Sequence, residues 1–516
     1  MTLSKPGYSE MDIHSPLAAA GSLIKSMHPM QLEPRPSRLP LGVRLALAWP
    51  AFCLLLAGCA VGPDYVRPAM DLPAAYKEQG PWKSAEPGQI DSRQRWWEAY
   101  ADPVLNGLIV QANDANQNIR FAETQYRQAQ AAARMARAAF WPTLGASAGA
   151  GRAQTDANGR TLASNYNVGL NASWEADVWG KIRRSVEAGD AAGQASAASL
   201  AAARLSIQAT LAQDYLQLRV TDLQKALYVR TVAAYAKSLQ LSRYQYQAGV
   251  ALRSDVAQAE TQWLSAQAQL IDLDATRNQL EHAIAMLAGK APAAFTLPAV
   301  DGPLMAILPQ IPAGLPSDLL ERRPDIANAE RLAAAANANI GVVKAALFPS
   351  LTLGAGAGYS GPALAQLFDI PGRVWSLGAS LAATLFDGGL RSARNEQALA
   401  AFDGAVAEYK QSVLGGLQEV EDNLSSLRVL DQESRVQARA VLAAQLAESL
   451  ALSQYRAGTA SYLAVVTTQA AALDNQRTAV QLLGRQLLAS VALIKAVGGG
   501  WHAGATAPPP ADHSHG

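Results

Sequence analysis

The chain is poor in charge, in aromatic rings and in cysteine. Its 516 residues include 43 Lys and Arg against 42 Asp and Glu, so only 16% are charged and the formal net charge is +1. A nucleic-acid binder carries a basic surplus; none is present, and no nucleic-acid partner is expected. Cys53 and Cys59 are the two cysteines, too few and too close for a disulfide framework or a cysteine zinc site. Six histidines are scattered, and no Ser/His/Asp, Cys/His or clustered-carboxylate set stands out, so no enzyme and no cofactor is expected. His513 and His515 sit in a polar tail and are read as incidental, because two flexible ligands rarely make a selective metal site. Aromatics make up 6% while hydrophobic residues make up half. About a fifth of the chain is alanine, which favours long helices with closely approaching axes.

What is present begins with an address. Residues 45–58 (LALAWPAFCLLLAG) form the one long apolar run near the N-terminus, preceded by Arg35, Arg38 and Arg44. Fourteen residues are short for a bilayer-spanning helix and suit the apolar core of a signal peptide. The run ends Leu56-Ala57-Gly58-Cys59, which resembles a bacterial lipobox. Residues 1–58 are therefore read as a lipoprotein signal peptide, with Cys59 lipidated as the first mature residue. The segment is long for a signal peptide, and Met27 or Met30 would be a more ordinary start.

The remainder repeats itself. Residues 140–151 (FWPTLGASAGAG) match 347–358 (LFPSLTLGAGAG) at an offset of 207. At an offset of 209, residues 165–184 match 374–393, and YQAGVALRSDV from Tyr246 matches YRAGTASYLAV from Tyr455. The same blocks in the same order define a tandem duplication. The expected organisation is an irregular lipidated segment over 59–101, a first repeat over 102–290 and a Pro-rich linker over 291–316. A second repeat follows over 317–500 and a disordered tail over 501–516.

Inside each repeat the hydrophobic period switches. Leu351, Leu353, Ala355, Ala357 and Tyr359 alternate with Thr352, Gly354, Gly356 and Gly358. Trp375, Leu377, Ala379 and Leu381 alternate with Ser376, Gly378 and Ser380, and the first repeat copies both patterns. Period two with one apolar and one small polar face predicts strands at about 143–152, 165–176, 350–359 and 374–386 that separate lipid from water. From Leu399 the apolar positions fall at spacings of three and four, a coiled-coil-like seam. A helix from Gly389 to Tyr455 would be about 100 Å long, and Gly404, Gly415 and Gly416, at a cost of roughly 1 kcal/mol each relative to Ala, are expected to bend it locally. Each long helix meets a glycine, Gly249 or Gly458, and reverses into a returning helix of about thirty-five residues. Arg322-Arg323-Pro324-Asp325 reads as a helix start with an acid in its first turn.

Four membrane-type strands cannot close a barrel, and an open sheet edge in lipid leaves backbone groups unpaired at several kcal/mol each. Copies must share strands. Two copies give eight, with an interior filled by side chains; three give twelve and a lumen. The fold class expected is α+β, mainly α. Duplicated helix–strand–strand–helix units would form, as a trimer, a 12-stranded barrel continuous with a helical barrel.

At this point the residues resemble a known family. Cys59 to Tyr65 (CAVGPDY) with Arg67-Pro68, the run LPSDLLERRPDIANAERLAAAANANIGVVKAALFPSL over 315–351, SWEADVWGKIRR over 173–184, LFDGGLRSA over 385–393 and the paired Tyr-x-x-Gly turns are similar to the TolC-like outer-membrane efflux proteins, OprM-like or NodT-type. The resemblance covers 59–500. It implies a homotrimer in the outer membrane of a Gram-negative bacterium, held by outer-membrane lipid and reaching into the periplasm. It also implies a role as exit duct of a tripartite pump, with a periplasmic membrane-fusion adaptor and an inner-membrane transporter of the resistance–nodulation–division (RND) type as partners. In that family the duct closes where the helices turn. The resemblance therefore places Tyr246, Gly249, Arg253 and Asp255 at one turn, and Tyr455, Arg456, Gly458 and Tyr462 at the other, as gate and adaptor-docking residues. Asp255 is a candidate partner of Arg253 or Arg456. One departure is Thr467, which stands where relatives commonly carry an aspartate. Alternative readings are an outer-membrane component exporting metal ions or a type I secreted protein, and a coiled-coil scaffold lipoprotein that would leave the strands unexplained.

Overall fold

The computed structural model describes residues 60–78, 95–155, 161–299, 308–309 and 316–500. Cys59, the signal segment and the terminal tail lie outside the described residues. Helices α1 (Pro103–Ala115) and α2 (Gln117–Ala138) lead into strands β1 (Thr143–Thr155) and β2 (Thr161–Ala176). The 67-residue helix α3 (Lys181–Gln247) follows, then the returning helix α4 (Arg253–Leu287). The second repeat has α5 (Pro324–Ala345), β3 (Ser350–Gly361), β4 (Arg373–Ala382), α6 (Leu390–Arg456) and α7 (Tyr462–Ala496). Paired helices have equal lengths: α2 and α5 have 22 residues, α3 and α6 have 67, α4 and α7 have 35.

Local chemistry explains the element starts. Asp177 accepts from the N–H groups of Ile182 and Arg183, both at 2.8 Å, and so caps α3 from below Gly180. Asp387 plays that part at α6, accepting from Gly389 at 3.0 Å and Arg391 at 3.2 Å. β4 ends at Ala382, earlier than the expected 386, because its partner there, Ser350, is the first residue of β3; Gly388 and Gly389 (φ +65° and +93°) then turn the chain into α6. α6 runs as one continuous helix through Gly404, Gly415 and Gly416. Gly416 has a packing reason, since a Cβ there would meet the Arg323 side chain at 3.3 Å.

The strands form one antiparallel sheet in the order β1-β2-β3-β4. Its register joins like with like. Leu144 lies opposite Ala172, Ala172 opposite Ala355, and Ala355 opposite Leu377, while Asn171 lies opposite both Gly145 and Gly356. The two faces read from each strand thus become two continuous faces of the sheet.

The main core lies where the two repeats meet, far along the helices from both sheet and turns. Tyr100, Ile109, Leu218, Ile284, Leu424 and Val491 are buried there. The Arg323 of the helix-start motif is buried in this region. It donates to Asp325, to Glu419 at 2.7 Å and to the Ala496 carbonyl at 3.0 Å. Its guanidinium pKa lies above the usual value: burial pulls it down, but the bonds to Asp325 and Glu419 outweigh that. In the first repeat Asn116 does the same work, donating to the Leu287 carbonyl at 2.9 Å. Residues 60–78 strap the repeats together, from Val61 N–H on Trp179 O at 3.1 Å, through Arg184 on Asp64 at 2.8 Å and Tyr65 on Glu330 at 2.8 Å, to Arg428 on Glu78 at 2.7 Å. Gly62 (φ +113°) permits the closest approach; a Cβ there would lie 2.6 Å from the Gly341 Cα.

Candidate functional site

Both helical hairpins turn by the same backbone device. Gly249 and Gly458 each take φ +73°, the left-handed conformation that L side chains disfavour. Val250 N–H reaches Gln245 O at 2.8 Å, and Thr459 N–H reaches Gln454 O at 3.0 Å, satisfying the carbonyls a helix end leaves open. Open space surrounds both glycines, so conformation rather than crowding requires them.

The side chains around the two turns differ. Tyr455 and Tyr462 are buried, with ring centroids 5.1 Å apart, packed with Leu239, Ala259 and Val465. The Tyr455 hydroxyl lies 3.5 Å from Ser242 Oγ of α3, at the limit of hydrogen bonding, so packing of the two rings against Leu239 of α3 is what ties the second hairpin to the first. Burial pushes the Tyr462 phenol up to about 12, so it stays neutral. The corresponding Tyr246 and Arg253 of the first turn are exposed, as is Arg456. Among the described residues neither Arg253 nor Arg456 forms an ion pair, and the expected pairing with Asp255 is absent within the chain. The Asp255 carboxylate instead accepts from Leu252 N–H at 3.2 Å and caps α4, a local bond that needs no distant partner. Thr467 turns its hydroxyl back to the Leu463 carbonyl of its own helix. The repeat marks the tyrosines in the sequence, whereas Ser242 and Leu239 take their part only because α3 lies against the second hairpin.

The sheet carries the second half of the site. Its apolar face shows Leu144, Leu170, Leu377 and Leu381 exposed, which water would not tolerate in a row but lipid would. Aromatic side chains gather at both strand ends. Trp174 donates to Phe140 O at 2.9 Å, and Trp179 stacks on Phe348 at 4.7 Å next to the helices. Tyr359 meets Phe368 at 5.5 Å at the far end. Two aromatic belts bounding an apolar band are the marks of a membrane β-structure. The opposite face is built from small polar groups, such as Asn171 donating to Ser147 at 3.1 Å. Among the described residues no cluster of His, Cys, Asp and Glu could hold a metal ion.

A family model described as outer membrane efflux protein matches residues 108–290 and 315–499. The chain belongs to the outer membrane efflux protein family. It is similar to the pyoverdine export outer membrane protein OpmQ of Pseudomonas aeruginosa, 33% identical over 462 residues, covering 87% of this chain and 95% of that protein. It is similar also to the probable efflux pump outer membrane protein TtgC of Pseudomonas putida, 30% identical over 467 residues and covering 89% and 96%. Among solved structures, the outer-membrane channel OprN superposes with a TM-score of 0.81 at 31% identity, covering 86% of this chain and 99% of that one. The fold is that of the TolC-like channels, a β part continuous with long helices, and the efflux protein is an outer-membrane one that extends into the periplasm.

Proposed function

We propose that this efflux protein is the passive exit duct of a tripartite pump, working as a homotrimer without catalysis. One observation carries the reading: a four-stranded sheet with one apolar and one small polar face, open at both edges β1 and β4, set on helices about 100 Å long. In lipid those edges must pair, and three copies pair them into twelve strands around a wet lumen. A periplasmic adaptor and an inner-membrane RND transporter are its partners, and drugs or other toxic small molecules are its cargo. The hairpin tips carrying Tyr246, Gly249, Arg253, Asp255, Tyr455, Arg456, Gly458 and Tyr462 are where the duct narrows and the adaptor docks.

The test is direct. Purified from outer membranes, the protein should run as a trimer and conduct ions across a planar bilayer. Deleting its gene should sensitise the bacterium to substrates of the cognate pump. A monomer with no conductance would overturn the reading.

A further inference from the structure

The strands carry few charges, and those on the apolar face share one sign and one level. Arg152 continues the apolar row Leu144, Ala146, Ala148 and Ala150 of β1; Arg373 begins the row Trp375, Leu377, Ala379 and Leu381 of β4. The register agrees: Arg152 lies opposite Ser164 and Arg373 opposite Tyr359, both on the apolar side. Glu175 is the acid among the described strand residues. It belongs to the polar face at the helix end, where Lys181 holds it at 3.0 Å. Arg152 and Arg373 are exposed, and neither has an ion-pair or hydrogen-bond partner among the described residues.

Depth follows from residue counts. Arg152 stands nine residues from Thr143, the inner end of β1, and Arg373 nine residues from Ala382, the inner end of β4. At about 3.3 Å per residue and a tilt near 40°, nine residues climb roughly 23 Å, close to the height of the apolar band of a membrane barrel. Both guanidinium groups therefore emerge at the outer rim of that band, where headgroups of the outer leaflet begin.

Position in the sheet brings them together. β1 and β4 are the two open edges, so in the trimer, on which this inference rests, β1 of one copy pairs with β4 of the next. Two arginines at equal depth on neighbouring strands and on the same face repel one another unless an anion lies between them. Guanidinium groups bind phosphate oxygens through paired N–H bonds.

We propose that Arg152 of one protomer and Arg373 of its neighbour form an outward-facing clamp for the phosphate of a phosphorylated glycolipid in the outer leaflet, one clamp at each subunit boundary. The lipid then seals the junction between copies from outside, its acyl chains lying along the apolar rows below.

Native mass spectrometry of the purified full-length trimer tests the clamp, using bisphosphorylated lipid A and the same lipid enzymatically dephosphorylated as probes. Wild type should retain the phosphorylated lipid, and an Arg152→Gln, Arg373→Gln double variant should retain about tenfold less. Arg152→Lys with Arg373→Lys keeps the charge but loses the paired N–H fork, so it should retain less than wild type and more than the glutamine variant, and excess inorganic phosphate should not displace the lipid. Equal retention by the glutamine variant, or equal retention of the dephosphorylated lipid by wild type, would overturn the proposal. Displacement by inorganic phosphate would also overturn it, by making the site one for a free anion. Trimer mass is read in the same spectrum, so failure of the duct reading is seen apart from failure of the clamp.

Discussion

The Tyr455 ring lies 5.1 Å from the Tyr462 ring, tilted by 59°, and both are buried where the second hairpin meets α3. Their counterparts in the first repeat, Tyr246 and Arg253, face outward. The backbone of the two turns is duplicated; the packing is not. The second hairpin is packed against its neighbour, while the first leaves its polar tip exposed.

Tyr455→Ala should therefore loosen the end of the duct. Removing a buried aromatic side chain costs on the order of 3–5 kcal/mol, here paid locally at the contact between hairpins. Single-channel conductance should rise and cells should become sensitive to large antibiotics. Tyr455→Phe should change neither, because the hydroxyl contact to Ser242 is long at 3.5 Å. A silent alanine variant would show that the pair does not restrain the aperture.

The same pair gives a pH dependence. Burial raises the Tyr462 phenol from 10.0 to about 12, so the folded hairpin holds its proton more tightly than the unfolded chain. The resulting stability is complete below pH 10 and declines as pH climbs through the folded value. Proteolytic nicking at the hairpin should rise over that alkaline window in wild type and rise less in Tyr462→Phe, in which the similarly raised Tyr235 still titrates.

At the first turn, charge and capping can be separated. Asp255→Ala removes the acceptor for Leu252 N–H, a loss of about 0.5–2 kcal/mol at the start of α4, and should raise conductance. Asp255→Asn keeps an acceptor, removes the charge and should conduct as wild type does. High salt should alter conductance only as far as bulk conductivity changes. If the asparagine variant matches the alanine one, ion pairs between copies hold the aperture after all.

Strand parity is open to a paired substitution. Leu377, midway along β4, lies opposite Ala355 on the apolar face, and Ser376 opposite Gly356 on the polar one. An arginine facing lipid costs roughly 2–4 kcal/mol near the midplane and far less in a wet lumen. Leu377→Arg should lower the yield of folded trimer much more than Ser376→Arg. Equal yields would mean the faces are reversed or both wet.

Lipidation of Cys59 lies outside the described residues, yet its neighbourhood constrains it. Ala60 abuts Gly180 and Val61 bonds to Trp179 O, at the junction of strand and helix where a membrane surface would lie. Mass spectrometry of the mature N-terminal peptide should show an acylated Cys59, and Cys59→Ser should abolish both acylation and cleavage. An unmodified N-terminal peptide would remove the anchor from the account.

Much of this protein was legible because its signals are periodic. The offset of 209 paired Gly249 with Gly458 and set both turns, since only a left-handed residue ends a helix in that way. Alternation of two along residues 351–359 and 375–381 placed the strand faces, because a strand presents its side chains to opposite sides whatever it pairs with. Local bonds decided element starts as well, as at Asp177.

Other features depend on which elements meet. Arg219 and Arg428 occupy equivalent positions in the two repeats, yet one holds the Pro298 carbonyl at 3.0 Å and the other the Glu78 carboxylate at 2.7 Å. Arg219 also holds Tyr215 and Asp222 of its own helix, but these two distant partners, Pro298 and Glu78, carry no common pattern. Asn116 and Arg323 reach equivalent carbonyls with unlike side chains. The sequence by itself determined the repeat, the faces of the strands and the places where the helices turn, because each depends on spacing within one segment. Only the tertiary structure decided that one turn is packed and the other exposed, and that β1 and β4, which carry Arg152 and Arg373, are the two edges of the sheet, because those facts depend on contacts and register between segments that sequence distance does not encode.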